Sequence, residues 1–106
     1  MEKTLTIDGR QIKFKSSGGN IMRYRNQFNT EYFVDLMSLS EARKNPVKYS
    51  SAALERIIWT LAKTADDSVP DPQTWYDSFE VFPFKKVFED LSELIAKASE
   101  SYLKNE

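Results

Sequence analysis

The sequence predicts an α+β fold that is mostly helical and forms a single domain over residues 1–106. Two observations support this class. Residues 4–15 alternate apolar and polar side chains on either side of Asp8 and Gly9, which is the pattern of a β-hairpin. The remaining chain carries apolar residues three or four positions apart, which is typical of amphipathic helices. We therefore expect a hairpin packed on a small bundle of three to four helices.

The hairpin is the first predicted element. Leu5 and Ile7 share one face of its first strand, and Ile12 and Phe14 share one face of its second. Asp-Gly is a preferred two-residue connection, because the turns that match strand twist need positive φ at the central positions. An isolated hairpin is barely stable in water, so its apolar face is expected to pack on the helices.

The first predicted helix covers about residues 20–39, and Asn20 can cap its start. Phe33 and Met37 lie beside its main apolar stripe. The helix is therefore expected to bury more than one face or to offer a second apolar face to a partner. The main stripe consists of Ile21, Tyr24, Phe28, Tyr32, Leu36 and Leu39.

The polar segment 40–50 (SEARKNPVKYS) predicts the end of this helix before Pro46. A second helix is expected over about residues 51–65, with Ser50 or Ser51 as its cap. Trp59 lies roughly 100° away from the apolar stripe of that helix. Packing in the core is its favoured interpretation, because a tryptophan contributes a large buried area.

A short aromatic helix is predicted over about residues 72–79. Asp71 followed by Pro72 is a strong helix start, because the carboxylate accepts a free amide and proline suits the first helical position. Trp75 and Phe79, four residues apart, are interpreted as anchors to the core.

The last predicted helix covers about residues 84–103 and begins after Pro83. One side of it is apolar, and the opposite side is charged. The apolar side consists of Phe84, Val87, Phe88, Leu91, Leu94, Ile95 and Ala98.

The composition is that of a soluble globular chain, with 41% hydrophobic residues, 29% charged residues and a net charge of −1. The absence of cysteine excludes disulfides and thiolate metal sites. No apolar stretch approaches the ~20 residues needed to cross a bilayer, and the N-terminus lacks the apolar run of a signal peptide. No membrane partner is expected.

Charge is unevenly distributed along the chain. Residues 1–25 contain six basic and two acidic side chains, whereas residues 64–106 contain four basic and ten acidic ones. Balance within one molecule is the favoured interpretation. The alternative is self-association, in which the two ends of neighbouring molecules pair. The residues assigned to this role are Lys13, Lys15, Arg23, Arg25, Asp66, Asp67 and Asp71.

The sequence contains no recognisable catalytic motif, so we predict no enzyme activity, catalytic residue, metal or cofactor. The chain has no histidine, which excludes histidine-based triads and metal sites. Lys63 and Thr64 resemble the end of a phosphate-binding loop, but the required glycines are missing. Asp66, Ser68 and Asp71 lack the glycine and the closing glutamate of an EF-hand.

A single-stranded nucleic-acid-binding module is one alternative function. Basic residues between positions 13 and 25 occur beside Tyr24 and Phe28, and charge combined with aromatic rings suits such binding. The helical spacing of the two rings favours core positions, and the acidic second half opposes a polyanion. No nucleic-acid partner is therefore expected.

Three segments resemble the tail assembly chaperones of long-tailed, siphovirus-type bacteriophages, in the form found in phages and prophages of Gram-positive bacteria. They are LTIDGRQIKFK near the start, RYRNQF at 23–28 and AKTADDSVPDPQTWYDSF at 62–79. The resemblance spans most of the chain outside 40–50. It implies a chaperone that binds the tape-measure protein in multiple copies, keeps it soluble and helps recruit tail-tube subunits. It also implies action in the bacterial host cytoplasm and absence from the mature virion.

In many members of this family a programmed ribosomal frameshift adds a C-terminal extension that contacts the major tail-tube protein, and this chain resembles the shorter product. A tape-measure protein exposes an apolar helical seam, which modest apolar patches on many chaperone copies would cover. The candidate patch residues are Phe33, Met37, Tyr76 and Phe82. A small phage structural or adaptor protein is the other alternative function.

Overall fold

The computed structural model describes residues 1–42 and 51–103, and it confirms the α+β, mostly helical class. The predicted loop residues 43–50, with Pro46 and the possible cap Ser50, lie outside the described residues. A hairpin precedes six described helices. The elements are β1 (Glu2–Ile7), β2 (Arg10–Lys15), α1 (Asn20–Phe28), α2 (Tyr32–Ala42), α3 (Ser51–Ala65), α4 (Pro72–Asp77), α5 (Phe84–Asp90) and α6 (Ser92–Leu103).

The hairpin has the turn that the sequence predicts. Asp8 and Gly9 both have positive φ, at 54° and 74°, which is the requirement of a type I′ turn. The two strands pair antiparallel without interruption from Glu2 opposite Lys15 to the turn. β2 packs on α3, and Phe14 of β2 is completely buried.

Helix α3 is the centre of the fold, because α1, α2, α4, α5 and β2 all pack against it. Ile57, Ile58 and Leu61 are buried, and so is Trp59, which lies off their stripe as expected. Trp59 donates its indole N–H to the carbonyl oxygen of Pro70 at 2.9 Å. A helix that is apolar on most sides needs neighbours on most sides, and α3 has them.

The predicted helix over 20–39 is divided into α1 and α2. Asn29 closes α1 in the left-handed conformation, with φ 52°, and its amide bonds the carbonyl of Arg25. Asn20 does not cap α1 as expected, because Gly19 occupies the cap position. Asn20 instead accepts a hydrogen bond from the amide of Ser17 at 2.6 Å and donates to the hydroxyl of Thr64 at 2.8 Å.

The predicted helix over 84–103 is also divided, at Leu91, into α5 and α6. Leu91 is completely buried, and its carbonyl still accepts the amide of Ile95 at 3.0 Å. The short helix α4 ends at Asp77, two residues earlier than predicted. None of the described helices is long and apolar enough to cross a membrane.

Helix α4 is fixed by its cap, by its aromatic anchors and by the hairpin. Asp71 accepts the amide of Thr74 at 3.1 Å, so it caps the helix as predicted. Trp75 and Phe79 are buried, which confirms their role as anchors. The guanidinium of Arg10 lies 4.2 Å from the centre of the Phe79 ring, and this contact fastens the hairpin to the end of α4.

Candidate functional site

Helix α2 is apolar on nearly every side. Asp35 is its single charged residue between Tyr32 and Leu39. Tyr32 and Leu39 are buried in the core, which accounts for the inward side. A surface helix normally carries mainly polar residues on the opposite side, whereas Phe33, Val34 and Met37 lie there on α2 beside Ser38. Between Tyr32 and Leu39 its outward side is therefore largely apolar as well.

The outward side of α2 is formed by Phe33, Val34 and Met37, here termed the α2 apolar face. Val34 is 65% exposed, Met37 is 63% exposed, and all three residues line one shallow depression. Tyr102 of α6 meets the half-buried Phe33 edge to face, with ring centroids 5.9 Å apart. Tyr102 and Leu103 are also exposed. Scattered apolar side chains are ordinary on a surface, whereas contiguous ones mark interaction sites.

A hydrogen-bonded charge network fixes α2 on its neighbours. Tyr24 of α1 donates its hydroxyl to the carboxylate of Asp35. Arg56 of α3 donates to the Tyr24 hydroxyl at 3.2 Å and to Asp35 Oδ2 at 3.1 Å. Burial raises the pKa of Tyr24, and the bond to Asp35 raises it further, so the hydroxyl remains a donor. Because one residue comes from each of three helices, the network determines which side of α2 faces outward.

Two of the four predicted client-binding residues belong to this face. Phe33 and Met37 lie together, and the structure adds Val34 and Tyr102, neither of which was predicted from the sequence. Val34 precedes Met37 by three positions, so helical spacing could have identified it. Tyr102 had no local signal, because its place depends on how α6 packs.

The other two, Tyr76 and Phe82, lie in a separate aromatic cluster that packs against the core. Tyr76 donates its hydroxyl to the carbonyl of Glu55 in α3 at 2.6 Å, and burial raises its pKa. Both side chains are half-buried, and they pack α4 and its connection to α5 against the core. The rings within 5.6 Å of Phe82 are Trp75, Tyr76, Phe79 and Phe84.

Among the residues predicted for self-association, Lys13 and Asp66 lie in one groove between β2 and the α3–α4 connection of the same molecule. Asp66 accepts hydrogen bonds from the hydroxyl and the amide of Ser68, at 2.6 and 3.0 Å. These bonds lower the pKa of Asp66, and Lys13 and Lys63 lower it slightly more. One basic and one acidic residue of the predicted set, Lys13 and Asp66, are thus placed together within one molecule.

The remaining charged residues of that set are spread over the surface. Asp71 caps α4, and Asp67 is exposed with its carboxylate 4.0 Å from the ammonium of Lys63. Lys15 and Arg23 are exposed, and Arg25 lies 3.9 Å from Glu31. The structure does not gather them into one patch.

The aromatic residue in the middle of the basic segment is not available to a ligand. Tyr24 is completely buried, and Phe28 is half-buried with its ring 5.5 Å from that of Trp59.

Within residues 1–42 and 51–103, no group of three or more acidic side chains is arranged to hold a metal ion.

A scan against models of protein families, and searches of curated proteins and of solved structures, found no match to this chain.

Proposed function

We propose that this protein is a non-enzymatic phage tail assembly chaperone whose α2 apolar face covers apolar helical segments of a tape-measure protein. One observation carries the proposal: Val34 and Met37, each about two thirds exposed, lie side by side on a helix whose outward side is largely apolar. The sequence resemblance supplies the class of client, and the physical character of the face agrees with it.

The chemistry of the face suits a varied helical client. Methionine is unbranched and polarisable, so Met37 adapts to different partner surfaces, whereas Phe33 and Val34 offer stiffer contacts. An amphipathic helix that lays its apolar side on such a surface presents anchors three or four residues apart. The face then excludes water from the client's apolar side without any chemical reaction.

The dimensions of the face favour many weak contacts. Phe33 and Met37 are four residues apart, about one helical turn or ~6 Å along α2. Burial of a few hundred Å² at ~25 cal/mol per Å² supplies several kcal/mol before the costs of association. One copy therefore holds a client weakly, and several copies on one long client hold it well.

In this proposal the chain acts in the host cytoplasm while the tail is being assembled. Its copies keep the tape-measure protein soluble, help recruit tail-tube subunits and leave before the virion is complete. The family resemblance implies that contact with the tube protein is made through a frameshift-extended form.

Co-expression with the tape-measure protein of the same phage or prophage tests the proposal. The wild-type chain should keep that protein soluble and copurify with it. Met37→Glu should lose both effects, and Met22→Glu should retain them, because Met22 is a similarly exposed methionine on α1 outside the face. A client that stays insoluble with the wild-type chain would contradict the proposal.

A structural adaptor is distinguished by its location. An adaptor remains in the finished particle, so mass spectrometry of purified virions should detect it at stoichiometric levels. A chaperone should be missing from those virions and present in lysates of cells that are assembling tails.

A further inference from the structure

Strand β1 has an open outer edge. The amide of Ser16 bonds the carbonyl of Met1 at 2.9 Å, and the strands pair in register up to Ile7 opposite Arg10. In an antiparallel pair the bonded positions alternate, so residues 1, 3, 5 and 7 direct their backbone groups toward β2. Glu2, Thr4 and Thr6 direct theirs outward. No backbone group in residues 1–42 or 51–103 bonds these outward groups.

This edge carries few of the features that prevent strand pairing. The register runs without a bulge, and no proline lies in β1. Lys3 is the one cation in the strand, and its ammonium donates to the carbonyl of Asp90 at 2.8 Å. Its charge is thus already bonded within its own molecule and is directed away from the edge.

We propose that two copies of the chain pair through β1, antiparallel about a two-fold axis at Thr4, and form a four-stranded sheet. Thr4 then lies opposite the partner's Thr4, and Glu2 lies opposite the partner's Thr6. Every outward residue of both strands exchanges its N–H and C=O bonds. The pairing depends on the hairpin edge alone and not on the α2 apolar face.

The strand's own sequence selects this register. With the axis at Thr4, Lys3 lies opposite the partner's Leu5, and no like charges oppose each other. With the axis at Leu5, Glu2 would lie opposite the partner's Asp8, which belongs to the turn and not to β1. Glu2 would then have no hydrogen-bonded strand residue opposite it, and two acidic side chains would face each other. Like charges directly opposite each other destabilise a sheet, so that register is disfavoured.

The proposed interface is small and two-fold symmetric. Opposed residues share one face of a sheet, so the helices of both copies lie on the same side of the four-stranded sheet. An interface restricted to one strand from each copy buries less surface area than the interface of a stable dimer does. The proposed dimer should therefore form reversibly as protein concentration rises.

Single-cysteine variants test the register, because the chain has no cysteine of its own. In Thr4→Cys the two Cα atoms would be about 5.5 Å apart, within disulfide range. In Thr6→Cys the two Cα atoms, one from each copy, would be roughly 13 Å apart in the strand direction, which is too far for a disulfide. Thr4→Cys should oxidise to a dimer at least about tenfold faster than Thr6→Cys. Equal rates for two folded variants would overturn the proposal.

Sedimentation of cysteine-free protein gives a second test. Thr4→Pro removes the central outward N–H of β1, and Gln11→Pro removes an outward N–H of β2 on the opposite edge. The wild-type chain and Gln11→Pro should dimerise with rising concentration, and Thr4→Pro should remain monomeric. A wild-type chain that stays monomeric at every concentration, including one that instead binds a foreign extended peptide at β1, would overturn the proposal.

Discussion

Removing one hydroxyl group from the network that holds α2 should measurably destabilise the protein. Tyr24→Phe keeps the ring and its edge contacts with Phe28 and Tyr32, both with centroids 5.3 Å away. It removes one hydrogen bond to Asp35 and one from Arg56. A hydrogen bond to a charged group contributes about 1.5–3 kcal/mol.

The two charged partners keep their own bond at 3.1 Å and have side chains that are 28% and 13% exposed, so water compensates for part of the loss. We therefore expect the free energy of unfolding to fall by about 1.5–3 kcal/mol in total, rather than by that amount for each bond. For a domain of this size the melting temperature should fall by roughly 6–12 °C.

Urea unfolding followed by tryptophan fluorescence gives the assay, because Trp59 and Trp75 are both buried. Tyr102→Phe is the matched control. Tyr102 is 45% exposed, and its substitution should change the free energy of unfolding by less than ~0.5 kcal/mol. If Tyr24→Phe proved as stable as this control, the network would not fix α2 as described.

Three further predictions concern local structure. Asn29→Val should lower the free energy of unfolding in urea by about 1–2 kcal/mol, because valine tolerates positive φ poorly, whereas Asn29→Gly should not lower it; equal stability of the two variants would contradict this. The hydroxyl and, to a lesser extent, the amide of Thr74 hold the pKa of Asp71 below its usual 3.8, so the stabilisation from this carboxylate is complete above that pH and is lost as pH falls through the lower folded-state pKa. Acid titration of Asp71→Asn, which keeps a capping oxygen that does not titrate, should therefore show a smaller loss of stability than the wild type, and identical acid profiles would exclude the assigned role. Arg10→Lys should cost about 0.5–1 kcal/mol in thermal unfolding, because the flat guanidinium contact with Phe79 and the hydrogen bonds from Arg10 Nη1 to Ser78 are lost; an unchanged melting temperature would show that these contacts are not stabilising.

Local chemistry made the hairpin and the cap of α4 predictable. Asp8 and Gly9 determine the turn by themselves, and Asp71 before Pro72 determines a helix start. Neither feature depends on distant residues. The buried position of Trp59 was also predictable, because a large ring beside an apolar stripe has few other stable environments.

The helix breaks were harder to predict, because apolar spacing continues through both of them. Asn29 offered a weak signal, since asparagine is the residue after glycine that most readily takes the left-handed conformation. Leu91 offered none, because the segment around it contains neither glycine nor proline. The break at Asn29 lies between two helices that both pack on α3, and the break at Leu91 lies between α5, which packs on α3, and α6, which packs on α1 and α5. These tertiary contacts cannot be read from one sequence.

The candidate site was only partly predictable for the same reason. The surplus of apolar residues on α2 pointed to Phe33 and Met37. The packing of Tyr76 and Phe82 against the core depends on how α4 and α5 fold against α3. The network that orients α2 joins side chains from three helices. It could not be predicted from the sequence, because α1 and α2 were expected to form one helix.

The affinity of the purified chain for a labelled tape-measure fragment, measured by fluorescence anisotropy, tests the central claim most directly. Full burial of a methionine side chain contributes about 1.5–3 kcal/mol, and nearly two thirds of Met37 remains to be buried. Met37→Glu should therefore weaken binding at least about tenfold, since it also places a carboxylate in the contact. Met22→Glu should bind like the wild type. Unchanged affinity of Met37→Glu, or an equal loss in both variants, would contradict the assignment of the α2 apolar face as the client-binding surface.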